Sequence, residues 1–64
     1  MLKNLGDTFL HAARLGFINV VKFLESPQYR INYSDSFGDS LLHYAVRGEN
    51  VEMVQYLLLS GANP

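Results

Sequence analysis

Apolar side chains recur along this chain at helical spacing, and they do so twice. Phe9, Ala12 and Ala13 stand at i, i+3 and i+4, so a helix here has one apolar face whose small side chains let another helix approach closely. Asp7 suits an N-cap and Gly16 a left-handed stop, which predicts a helix over 8–15. Val20, Val21, Phe23 and Leu24 give the apolar side of a second helix over 18–25, ended by Ser26-Pro27 because proline cannot donate to the helix ladder. The connection 28–38 is long; its Ile31-Asn32-Tyr33 looks extended and its Ser34 to Gly38 is rich in turn formers, which predicts a hairpin-like excursion. Ser40 then caps a third helix to about 47, and a fourth runs over 51–59 and ends at Gly61.

The second half repeats the first at a period of 33 residues. Ala12 falls on Ala45, Arg14 on Arg47, Ile18 on Val51, Val21 on Val54, Phe23 on Tyr56 and Leu24 on Leu57, while the cap positions Asp7 and Ser40 keep the same phase. Such a period marks stacked supersecondary units, none of which buries its apolar face alone. The expected fold is all-α: helix-turn-helix repeats stacked as a short solenoid with one hairpin-like loop. The expected organisation is one domain, 1–64, with repeat one at 1–33, repeat two at 34–64, and no third repeat or C-terminal cap.

Gly38-Asp39-Ser40-Leu41-Leu42-His43-Tyr44-Ala45 resembles the ankyrin motif G-x-T-P-L-H-x-A, with serine for threonine and leucine for proline. Ile31 to Asp35 is similar to the V-N-x-x-D that enters the ankyrin hairpin, and Gly61-Ala62-Asn63-Pro64 to the G-A-D-P exit. The likeness covers the chain from Gly6 onward in two units. Ser40 offers an oxygen to a free helix N–H, His43 lies where its ring can bond across the first turn, and Ala45 permits close packing. Three positions depart from the pattern. Phe9 and Leu10 stand where leucine and histidine are usual. Glu49 occupies the place of the turn glycine with Gly48 one early, so a shifted turn is expected there. Gln28 replaces the usual glycine after Pro27.

The resemblance implies a non-catalytic protein–protein interaction module that binds through hairpin tips and the exposed edge of each first helix. By position this singles out Tyr33, Ser34, Ser36, Phe37 and Asp39 at the hairpin, with Arg14, Leu15 and Arg47 on the helix edge. Phe37 and Tyr33 stand out, since aromatic anchors dominate interface energetics; the competing role for both is packing within the fold. Leu41, Leu42, Met53, Leu57, Leu58 and Leu59 are expected to leave an uncovered C-terminal face. That face suits a fragment of a longer array or, alternatively, a small structural protein that buries it in a homo-oligomer.

Composition narrows the partners. Five basic and six acidic residues give a net charge of −1 with no basic run, which argues against nucleic acid and anionic membrane. The apolar runs are too short to span a bilayer and the N-terminus has no apolar signal core, so an intracellular, cytoplasmic protein is expected. With no cysteine there is neither a disulfide nor a cysteine-based metal site. His11 and His43 differ in repeat phase and lack ligand partners at metal spacing, and Ser40 beside His43 reads as a cap rather than a nucleophile. No catalytic residues, metal or cofactor are expected; the partner is another protein.

Overall fold

A computed structural model of the protein describes residues 5–63. Four helices follow one another: α1 (Leu5–Leu15), α2 (Ile18–Leu24), α3 (Leu41–Arg47) and α4 (Val51–Leu59). Among the described residues the strand-like pairing is one isolated antiparallel bridge between Ser34 and Ser40, at the neck of the hairpin. The fold is thus all-α, two helix pairs joined by a hairpin-like loop.

α1 begins before the expected N-cap. Asp7 lies inside its first turn, where a carboxylate still favours the positive end of the helix. Gly6 is buried in that turn, so packing holds a segment that propensity alone disfavours. α2 stops at Leu24, where Glu25 turns extended ahead of Ser26-Pro27.

α1, α3 and α4 end alike. In each, a residue one or two positions past the helix takes a positive φ and the next N–H reaches back five residues, closing a Schellman motif. The bonds are Phe17 N–H to the Ala12 carbonyl (2.9 Å), Asn50 N–H to Ala45 (3.1 Å) and Ala62 N–H to Leu57 (2.9 Å). The residues at positive φ are Gly16 (81°), Glu49 (57°) and Gly61 (99°). The turn after α3 is therefore not shifted, contrary to the sequence expectation. Glu49 itself adopts the left-handed conformation, and Gly48 stays helical with φ −79°.

A contact with repeat one explains the order. A Cβ on Gly48 would run into the carbonyl oxygen of Arg14 and lie 2.9 Å from its carbonyl carbon. The same carbonyl, an orphan acceptor at the end of α1, takes a hydrogen bond from the Asn50 side-chain amide. Gly48 is thus a spacer between repeats.

The core runs through both units. Phe9, Leu10, Ala12, Ala13 and Val21 of repeat one join Leu41, Ala45, Met53, Leu57 and Ala62 of repeat two. α1 packs along α3, and the alanines on both helices permit the close approach. This corrects the expected C-terminal face: Leu41, Met53 and Leu57 are fully buried. The repeat-one equivalents of Leu41 and Met53 are Thr8 and Val20, which line an open groove on the N-terminal side. Leu41 and Met53 therefore point back onto repeat one, while Leu57 shares the core with Ala62, whose N–H bonds the Leu57 carbonyl. Leu42 and Val54 are half-buried, and Val46, Leu58 and Leu59 stay exposed.

Candidate interaction surface

The hairpin is built around Asp35. Its backbone N–H donates to the Asp39 carbonyl (3.0 Å), and its own carbonyl accepts from Gly38 N–H (3.0 Å). Its side chain completes the turn: Oδ1 accepts the N–H groups of Phe37 and Asp39, each at 2.9 Å. Gly38, with φ 85°, supplies the left-handed residue that lets so short a loop return into the Ser34–Ser40 bridge.

α3 holds this loop in place. Tyr44 donates its hydroxyl to Asp35 Oδ2 at 2.7 Å, and Arg47 Nη2 meets Asp39 Oδ2 at 2.7 Å. The Arg47 guanidinium lies over the Tyr44 ring, 5.3 Å from its centroid. His11 of repeat one sets its ring edge-on to Tyr44 at 5.6 Å, so the strip runs on to α1. The Tyr44 hydroxyl, and then the Asp39 amide, hold the Asp35 carboxyl below its ordinary range. The same bond to Asp35 raises the Tyr44 phenol, and the ion pair with Asp39 raises Arg47 further.

At the start of α3, His43 Nδ1 accepts the Ser40 N–H (3.0 Å), with the Ser40 hydroxyl at the same distance. An Nδ1 that accepts places the ring proton on Nε2. Histidine here plays the part glutamate plays in a capping box. Asn32 secures the loop's other root: its Oδ1 accepts Asn63 N–H at 2.9 Å.

The eight sequence-selected residues divide into groups. Ser34, Ser36, Phe37 and Asp39 lie on the hairpin, Arg47 joins it through Asp39, and Phe37 is 88% exposed. Arg14 is exposed one turn beyond His11 on the same strip. Leu15, 50% exposed, instead lines the N-terminal groove with Thr8, Phe17 and Val20. Tyr33 is half-buried and turned inward, its ring 5.3 Å from Tyr29 and 6.0 Å from Phe9. Sequence reasoning did not select Asp35 and Tyr44, which set the loop's shape. Asp35, three residues before Gly38, is the available signal for the turn; nothing local marks its partner on α3. Among the described residues no three His, Cys, Asp or Glu side chains are grouped to hold a metal ion.

The family model for ankyrin repeats (3 copies) matches residues 1–64. A putative ankyrin repeat protein of Acanthamoeba polyphaga mimivirus is 46% identical over 46 residues, covering 72% of this chain and 6% of the relative. A tyrosine-protein kinase of Drosophila melanogaster is 37% identical over 59 residues, 91% of this chain and 6% of the kinase. A palmitoyltransferase of Emericella nidulans is 33% identical over 60 residues, 92% of this chain and 8% of the enzyme. No solved structure matches. The chain thus spans less than a tenth of the length of these relatives. Repeat period, helix-pair architecture and the match along the whole sequence agree: the chain belongs to the ankyrin-repeat family.

Proposed function

We propose that this chain is a non-catalytic protein-binding segment of a longer ankyrin array, gripping a partner protein with its hairpin tip and the adjoining strip of α1 and α3. The observation that carries this reading is Phe37: a large aromatic side chain almost wholly in solvent, on a loop whose backbone is fixed by Asp35. An exposed aromatic on a rigid support loses little entropy when a partner covers it. Ser34, Ser36 and Asp39 supply polar contacts around it, with Arg47 and Arg14 along the strip. Tyr33 supports the loop from inside, and Leu15 contributes only where a partner reaches the N-terminal groove. The cytoplasm is the proposed compartment. Among the described residues no helix is long and apolar enough to cross a membrane.

Panning the full chain against a displayed peptide library tests the site. Ligands so selected should bind Phe37→Ala about thirtyfold more weakly, the scale of an aromatic hot spot, with helicity unchanged. Ligands that bind the variant as well as the parent would remove Phe37 from the site. A second reading, a structural protein that self-associates through its C-terminal face, is favoured by the exposure of Val46 and Leu58 there.

A further inference from the structure

Repeat two stacks on the forward side of repeat one, so residues 33 apart take matching places in the two units. In repeat two, Arg47 reaches back to Asp39 Oδ2 at 2.7 Å, with its guanidinium 5.3 Å from the Tyr44 ring centroid. One period back, Arg14 stands for Arg47 and His11 for Tyr44, but Gly6 stands for Asp39. The carboxylate that answers the arginine in repeat two therefore has no counterpart in repeat one.

Arg14 is left as an exposed cation with no ion pair among the described residues. Asp7, the one carboxylate of α1, lines the N-terminal groove with Thr8 and Leu15, a groove to which Arg14 does not contribute. Residues 1–4 include no acid. The acids elsewhere on the strip are already engaged. Asp35 accepts from the Phe37 and Asp39 amides and from the Tyr44 hydroxyl, and Asp39 holds Arg47. What the strip turns outward is donors: the Arg14 guanidinium, the part of Arg47 that Asp39 leaves open, and the hydroxyls of Ser34 and Ser36.

We infer that the partner presents a carboxylate to Arg14, in the place that Asp39 fills in repeat two, and covers Phe37 with an apolar side chain. The partner segment is thus an acidic peptide, an aspartate or glutamate with an apolar neighbour. Arginine suits this role because its planar fork takes a carboxylate through two parallel N–H bonds. His11, its ring 5.6 Å from that of Tyr44, borders the same position, and its ring N–H adds a donor. The inference rests on the hairpin-and-strip reading above and adds the charge of the partner.

Ligands selected on the full chain from the displayed library supply the probes. Each is made as a synthetic peptide and as copies with glutamine or lysine in place of its acidic residue. Aspartate or glutamate should recur in the selected sequences. Arg14→Gln should bind the acidic peptide about fivefold more weakly, the upper range for one exposed ion pair, and should bind the glutamine copy as the parent does. Arg14→Glu should prefer the lysine copy. Added salt should weaken the acidic peptide on the parent chain and much less on Arg14→Gln. The Arg14 carbonyl that bonds Asn50 belongs to the backbone, so helicity should hold in both variants. Phe37→Ala separates this inference from the hairpin reading. Ligands that depend on Phe37 but carry no acid, or that lose equal affinity to Arg14→Gln with and without their carboxylate, overturn the inference and leave that reading standing. Ligands indifferent to Phe37, or an empty selection, overturn both.

Discussion

At the end of α3 two adjacent residues answer to demands of different range. The backbone asks for a left-handed residue at Glu49, which is a local requirement that glycine meets best. Repeat one asks for a missing Cβ at Gly48, a requirement made by Arg14 from the other unit. The sequence offers one glycine, and it goes to the contact. The expected shift of the turn came from the local rule alone, which sees the helix end but not the carbonyl packed against it. Two substitutions separate these demands in urea unfolding. Glu49→Gly should stabilise the chain by about 1 kcal/mol, the cost of a left-handed conformation for a residue with a Cβ. Gly48→Ala should destabilise by about 1–3 kcal/mol, the usual range for forcing an atom into filled space. A stabilising Gly48→Ala would show that the repeats have slack at this seam and would remove the spacer role.

The helices were legible because their signals are local. Apolar residues at a 3.6-residue spacing mark α2, α3 and α4, and Pro27, Gly48 and Gly61 lie at their ends. The hairpin was legible as a turn from Ser34 to Gly38, yet its rigidity was not. Asp35 meets Tyr44 only after the chain has folded back across the bridge, and a sequence pattern carries no signal for that pairing. Tyr33 was ambiguous for a similar reason, since its inward packing depends on Tyr29 and Phe9 arriving from two other segments. The Asp35–Tyr44 bond gives the element a pH signature. Asp35 has its folded pKa lowered, so its contribution is complete above the unfolded value of about 4 and is lost as pH falls through the folded value. Tyr44 has its folded pKa raised, so its contribution is complete below about 10 and is lost as pH rises through the folded value. The hairpin should therefore be tightest on a plateau between those limits. Urea midpoints measured below pH 4 should decline, and the decline should be shallower in Tyr44→Phe, which removes the largest cause of the Asp35 shift. At neutral pH the same variant should exchange its Phe37 and Asp39 amides faster, with those of α2 unchanged. Identical acid limbs in both proteins would mean that the backbone N–H donors alone hold the carboxylate.

Across the whole molecule, neither helix pair owns its core. Phe9 and Leu10 of repeat one and Leu41 and Met53 of repeat two reach full burial in the layer between units, and Asn50 bridges the same seam from α4 to the end of α1. A chain of this size holds only about 3–5 kcal/mol of net stability without staples, and truncating a buried leucine costs about 2–5 kcal/mol. The two ranges overlap, which makes the seam decisive for the entire fold. Leu41→Ala should abolish helicity in α1 and α2 as well as in α3 and α4, although Leu41 belongs only to repeat two. Circular dichroism reads the total loss, and residue-resolved amide exchange reads where it occurs. If α1 and α2 kept their protection while repeat two melted, repeat one would be a self-sufficient unit and the burial of Phe9 and Leu10 would contribute little. Loss throughout is the expectation, because the side chains that fill repeat one's forward side are covered by residues it does not possess.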